Sequence, residues 1–137
     1  TQASTLAQNI IDRMRANRQA VLANNYDLEA GDAPPGPAKN CGDENCSFSE
    51  LAAWDLALWY RSIAPDADYA ADTVPASLES ALPGGRASIA CLDATCTVDS
   101  PRLVTLYWDT NRSGATGYGC DPDTATDLAC FRLIYTP

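Results

Sequence analysis

The first 24 residues, TQASTLAQNIIDRMRANRQAVLAN, contain neither Gly nor Pro and repeat their apolar side chains at helical spacing. Leu6, Ile10, Met14 and Val21 fall on one stripe, flanked by Ala7, Ile11 and Leu22. A turn of 3.6 residues leaves Gln8, Asp12, Arg15 and Gln19 outside it. A strand cannot gather those positions on one side, so the stretch predicts an amphipathic helix from Thr1 to about Asn24. Asn17 lies on the stripe between Met14 and Val21 and is its one polar interruption. Ser4 could cap the helix, but Thr1 to Ala3 would continue it equally well upstream. A pattern already in phase at residue 1 suggests a spine cut from a longer helix.

A helix with one apolar stripe needs something to cover it. Residues 24–40, NNYDLEAGDAPPGPAKN, hold three prolines and two glycines and predict an exposed loop. The ring CGDENC follows. Ser47 with Glu50 three residues on, ahead of an apolar run, forms a capping box. It starts a second helix over about Phe48 to Ile63, which Pro65 ends. Leu51, Trp54, Leu58 and Trp59 share one side of that helix. Residues 65–73 are a polar connector, and a short helix is expected over Pro75 to Leu82 before Leu82-Pro83-Gly84-Gly85 breaks the chain.

Beyond that break the apolar period changes from 3.6 to 2. Ala87 to Leu92 and Cys96 to Val98 are expected as two strands of a hairpin around Asp93-Ala94-Thr95, with Cys91 and Cys96 stapled across it. Arg102 to Asp109 is the clearest strand, with Val104, Leu106 and Trp108 on one face and Leu103, Thr105 and Tyr107 on the other. A polar loop over 110–129 leads to a last strand, Cys130 to Tyr135. Helices first and an antiparallel sheet of three or four strands afterwards make an α+β fold, with the first helix laid on the sheet. At 137 residues this is one domain with room for a core.

Six cysteines at 41, 46, 91, 96, 120 and 130 allow 15 pairings. The local ones, Cys41 with Cys46, Cys91 with Cys96 and Cys120 with Cys130, are expected. A zinc site would have to be built from thiolates alone, since the chain has no His, and its two C-x4-C spacings are looser than the usual knuckle. Disulfides place the chain in an oxidising compartment.

The function classes narrow from there. Eighteen acidic residues against nine basic give a net charge of −9, which repels phosphate backbones and argues against nucleic acid. Without His no Ser-His or Cys-His nucleophile can form. No phosphate-binding glycine motif occurs, and no cofactor is expected. A glycosidase would need two converging carboxylates, and nothing in the sequence marks such a pair. Asp121, Asp123 and Asp127 in the Cys120–Cys130 loop could hold Ca²⁺, with Asp109 and Asn111 nearby, yet their spacing is not that of an EF-hand. Solvated loop carboxylates are the simpler reading, and no metal is expected. Asn45-Cys46-Ser47 and Asn111-Arg112-Ser113 match the glycosylation sequon, a motif frequent by chance. Arg13, Arg15 and Arg18 form a basic turn on an acidic protein, suited either to solvent or to an acidic neighbour in an assembly. Trp54 and Trp59 serve either the core or a partner, and Tyr118 in the late loop is a further contact candidate.

Together these features resemble type IV pilins, and within them the minor pilin PilV type. The resemblance is carried by Ala7-Gln8-Asn9-Ile10-Ile11-Asp12-Arg13-Met14-Arg15-Ala16-Asn17-Arg18 with Tyr26-Asp27, and by Leu82-Pro83-Gly84-Gly85 before the Cys91–Cys96 hairpin. Leu103-Val104-Thr105-Leu106-Tyr107-Trp108 and the ending Leu128-Ala129-Cys130-Phe131-Arg132-Leu133 complete it. It implies a non-enzymatic subunit, cleaved and N-methylated by the prepilin peptidase. An apolar N-terminal half-helix would anchor it in the inner membrane and later pack in the fibre. Its partners would be other minor pilins, the major pilin and the inner-membrane assembly machinery, in a tip complex that primes assembly and supports adhesion and twitching. The family's cleavage-site Gly, its aromatic neighbour and the charge-pairing Glu near the mature N-terminus are absent here, which fits a head lacking its membrane half-helix. A type II secretion pseudopilin is the near alternative. A secreted ligand-binding or hydrolytic domain, with a pocket lined by Trp54, Trp59 and Trp108, is the distant one.

Overall fold

The computed structural model describes residues 2–64, 82–121 and 123–137. The expected connector over 65–73 and the short helix over 75–81 lie outside them, and Leu82 is not helical. The described elements are α1 (Gln2–Ala16), α2 (Arg18–Leu22), α3 (Phe48–Ile63), β1 (Arg86–Cys91), β2 (Arg102–Trp108) and β3 (Ala129–Tyr135).

The long first helix is broken at its polar interruption. Asn17 leaves the helical region at φ −131° and ψ 52° and divides α1 from α2. Its side-chain amide donates to the Tyr26 hydroxyl at 3.2 Å and to the Phe48 carbonyl at 2.8 Å. A buried amide must find acceptors. The two that Asn17 finds lie on the following loop and at the start of α3, so the break is tied to both.

Ala7, Ile10, Ile11 and Met14 of α1 are buried in one core with Trp59 and Ile63 of α3 and Ile89, Val104 and Leu106 of the sheet. Burying each of the larger aliphatic side chains stabilises by about 1.5–3 kcal/mol. α3 starts as its sequence requires. The Ser47 hydroxyl accepts from the Glu50 N–H and the Glu50 carboxylate accepts from the Ser47 N–H, which satisfies two orphan donors. The buried face of α3 is not the one its spacing suggested. It runs through Ala52, Asp55, Leu56, Trp59, Tyr60 and Ile63, whereas Leu51, Trp54 and Leu58 are only half-buried. A charged residue can sit in that face because Asp55 has partners on both oxygens.

The sheet has three strands in the order β1-β2-β3, all antiparallel. The expected strand over Cys96–Val98 does not form. β1 pairs instead with β2, from Arg86 opposite Tyr107 to Cys91 opposite Arg102. The Cys91–Cys96 bridge then closes an irregular loop beyond the strand ends. The loop over 24–40 is less exposed than its composition implied. Tyr26 and Leu28 are buried, and Leu28 exchanges two backbone hydrogen bonds with Ile89 at 2.9 and 2.8 Å, covering the outer edge of β1. Gly84 turns the chain at φ +57°. Gly85 then passes so close to α3 that a Cβ there would lie 2.6 Å from the Ile63 carbonyl oxygen.

Candidate functional site

Two polar assemblies and one loop distinguish this molecule from a plain helix-on-sheet core. The first assembly lies between α1 and α3. Arg13 donates to one oxygen of Asp55 at 2.8 Å, and the Tyr26 hydroxyl donates to the other at 2.7 Å. Tyr26 in turn accepts from Asn17. Burial and the bond to Asp55 raise the Tyr26 phenol well above its ordinary pKa, so it stays a donor. The chain of contacts runs from Arg13 through Asp55 and Tyr26 to Asn17, and locks the broken spine to α3.

The second is Arg102, which shares the inward face of β2 with Val104 and Leu106 and is buried. Its guanidinium donates to the Ser100 carbonyl at 2.6 Å, to the Val21 carbonyl at 3.3 Å and to Asn24 Oδ1 at 3.4 Å. Val21 lies in the last turn of α2, where carbonyls lack helical partners, so a strand residue caps the helix. Burial raises the pKa of nearby Asp27, and the charge of Arg102 opposes that rise.

The loop after β2 folds back over the outer face of the sheet. Tyr118 meets Tyr107 edge-to-face at 5.0 Å, and Thr105 and Tyr107 are therefore buried on the side away from the helices. Cys120 and Cys130 are bridged, as are Cys41 with Cys46 and Cys91 with Cys96. The loop carboxylates organise the loop itself. Asp109 accepts from the N–H groups of Ser113 and Gly114, and the Ser113 bond leads the causes that lower its pKa. Asp127 accepts from the Asp121 N–H at 3.1 Å, and Asp121 accepts from the Asp123 N–H at 2.9 Å. Two of the three aspartates considered for Ca²⁺, Asp121 and Asp127, thus turn a carboxylate oxygen to a backbone donor. Among the described residues no group of three or more His, Cys, Asp or Glu is placed to hold a metal ion.

The other candidates are dispersed. Arg13 is taken up by Asp55. Arg15 lies 3.5 Å from Asp12 and 5.6 Å from the centre of the Tyr135 ring, a cation–π contact, and Arg18 is exposed. Trp59 is buried and donates to the Leu6 carbonyl of α1 at 2.8 Å, whereas Trp54 is half-buried beside Gly42 of the first disulfide ring. A cleft of about 660 Å³ is lined by Asp109, Asn111, Asp121, Asp127 and Arg132 among others, and by no tryptophan. The sequence reading missed the partners of Asp55 and Arg102. Asn17 on an apolar stripe was the one legible signal for the first network. A lone Arg at an inward strand position was the signal for the second.

Residues 1–57 match a family model described as Tt1218-like: Type IV pilin Tt1218. The match supports a type IV pilin. It takes in α1, α2, the first disulfide ring and more than half of α3, and so contains the whole Arg13–Asp55–Tyr26–Asn17 network. The α+β mixture, the three-stranded antiparallel sheet and the disulfides fit a pilin-like fold. No curated protein and no solved structure matches the chain. Among the described residues no helix is long and apolar enough to cross a membrane.

Proposed function

We infer that this chain is the single globular head of a minor pilin of the PilV type, a non-enzymatic subunit. In this reading an apolar half-helix precedes Thr1, anchors the subunit in the inner membrane and afterwards packs in the fibre. The subunit joins other minor pilins and the major pilin in the complex that primes assembly and sits at the tip, where it supports adhesion and twitching. The observation that carries the reading is the pilin family match over residues 1–57, which hold α1, α2 and the Arg13–Asp55–Tyr26–Asn17 network.

Within that role the contact surface takes in the sheet side with the Cys120–Cys130 loop and the outward faces of the helices. Trp59, buried inside the fold, and Arg13, half-buried with its guanidinium on Asp55, drop out of the contact set, which reduces to Arg15, Arg18, Trp54 and Tyr118. Exposed Leu92 and Ile134, at 46% and 59%, add apolar surface at the end of the sheet where β1 finishes.

The deciding experiment shears the pili from cells, recovers the membrane fraction and reads the mature N-terminus by mass spectrometry. An N-methylated aromatic residue followed by an apolar helix running into Thr1 is the expected result. A conventional signal cleavage just before Thr1 would overturn the reading. Recovery of the chain with a secretion machine rather than a pilus would assign it to the pseudopilins. The loop is tested separately: replacing Cys120 and Cys130 by Ala should lower pilus number in cells lacking the native copy.

A further inference from the structure

Two segments share one pattern: Asp43-Glu44-Asn45-Cys46-Ser47 and Asp109-Thr110-Asn111-Arg112-Ser113. Each has an asparagine followed two residues later by serine, the acceptor sequence for N-linked glycosylation. Each also has an aspartate two residues before the asparagine. The fold separates these two equal motifs.

Around Asn45 the acceptor elements are already committed. Cys46 is bridged to Cys41, and the Asn45 carbonyl accepts from Lys39 at 3.3 Å. The Ser47 hydroxyl caps α3, accepting from the Glu50 N–H at 3.2 Å. A transferase that took hold of this hydroxyl would have to undo the start of the helix.

Asn111 stands in the turn that leaves β2, where residues 110–114 are all exposed. The Asp109 carboxylate shapes this turn, accepting from the Ser113 N–H at 3.0 Å, the Ser113 hydroxyl at 3.2 Å and the Gly114 N–H at 2.7 Å. Arg112 takes a left-handed conformation at φ 51°. The Ser113 hydroxyl donates once to Asp109 and keeps oxygen lone pairs for an incoming donor. Space is open beside the turn, since a Cβ on Gly114 would meet nothing within 4 Å.

We propose that Asn111 is an N-glycosylation site of this protein and that Asn45 is not. The co-reactant is a lipid-pyrophosphate-linked oligosaccharide. The side-chain amide nitrogen of Asn111 bonds to the anomeric carbon as the bond from that carbon to the pyrophosphate oxygen breaks. The amide gives up one proton and the lipid pyrophosphate leaves, with no change in oxidation state. Three disulfides place the chain in an oxidising compartment, the setting in which such transfer takes place. The inference is independent of the pilin reading.

The test is mass spectrometry of the protein isolated from its native cells, reduced and digested with chymotrypsin. The expected result is a glycan mass on the peptide containing Asn111 and an unmodified peptide containing Asn45. Asn111→Gln and Ser113→Ala should abolish the added mass, and Ser113→Thr should keep it. All three changes lie in an exposed turn, and unchanged thermal midpoints would show that folding is intact. An unmodified Asn111 peptide in the native protein overturns the proposal, as does a glycan on Asn45 or one that persists in Asn111→Gln.

Discussion

Replacing Tyr26 by Phe removes one oxygen from the network that locks the spine to α3. Tyr26 is 1% exposed, so water cannot substitute for the lost hydroxyl. The bond removed is the 2.7 Å donation to Asp55, a hydrogen bond to a charged acceptor and so worth about 1.5–3 kcal/mol. Asn17 keeps its second acceptor, the Phe48 carbonyl, and Asp55 keeps Arg13, so neither is left without a partner. The expected loss is therefore about 2 kcal/mol, a sizeable part of the roughly 5–15 kcal/mol that holds a domain together. At this chain length it lowers Tm by about 8 °C. A pH dependence distinguishes the network from simple packing. In the folded protein the Tyr26 pKa is raised, whereas in the unfolded chain it is about 10. Below pH 10 both states hold the proton and the bond contributes fully. Above pH 10 the unfolded chain loses its proton while the folded one keeps it, so stability falls by up to about 1.4 kcal/mol per pH unit. Urea unfolding at pH 7, 10 and 11 with disulfides intact measures both effects. A loss under about 0.5 kcal/mol at pH 7, or the same alkaline decline in Tyr26→Phe as in the parent, would refute the assignment.

Three further changes probe other parts of the molecule. Ser47→Ala should cost about 1 kcal/mol by removing the cap of α3. The pKa of Glu50 is lowered, by the Ser47 N–H first and Lys39 after it, so its part of the cap is present above the ordinary carboxylate range and fades as pH falls through the folded pKa. Circular dichroism between pH 6 and 3 should show helix loss beginning at higher pH in the variant. Arg102→Met keeps the bulk of the side chain but frees the Ser100 and Val21 carbonyls. A loss of about 2–4 kcal/mol is expected in urea, with faster amide exchange at Asn24 and Asn25, and an unchanged midpoint would dismiss the capping role. Replacing Cys120 and Cys130 together by Ser releases a loop closed over a sequence separation of 10, worth about 3 kcal/mol of chain entropy. The edge-to-face contact of Tyr118 with Tyr107 should loosen, raising Tyr107 exposure in tyrosine nitration, and unchanged nitration would argue that the loop is held by its own hydrogen bonds.

Periodicity made the main elements legible. Helical spacing in the first 24 residues, the capping box at Ser47 and alternation across Val104 and Leu106 each report a local backbone choice, and each element is present. What local patterns could not report is pairing at a distance. The run Cys96–Val98 has strand-like residues, but the β1 edge is better satisfied by β2, whose residues Arg102 to Tyr107 pair along the whole length of β1. The burial of Asp55 escapes local patterns for the same reason. Its charge argues for solvent until Arg13 and Tyr26, separated from it by 42 and 29 positions, are known to converge on it. The local cysteine spacing was informative because short rings can form only where the chain already turns.

The two polar networks also bear on how such a head could serve an assembly. An apolar stripe alone would let the spine slide or rotate against α3 by a turn at little cost, since Ala7, Ile10, Ile11 and Met14 offer similar surface to either register. Asn17 and Arg13 permit one register only, because any other leaves Asp55 and Tyr26 buried without partners, at about 1–3 kcal/mol for each orphaned group. Arg102 does the same for the sheet, since its guanidinium reaches Val21 at the end of α2 and Ser100 two residues ahead of β2 together. Helix, loop and sheet are thereby fixed in one mutual orientation. For a subunit that docks through a spine on one side and a sheet and loop on the other, that fixed angle sets where its neighbours meet it. Asp55→Leu with Arg13→Leu and Tyr26→Phe would replace the network by apolar bulk, and should leave the midpoint of unfolding close to that of the parent while lowering incorporation into sheared fibres. Parent-level incorporation of such a stable variant would refute a role for the network in setting orientation.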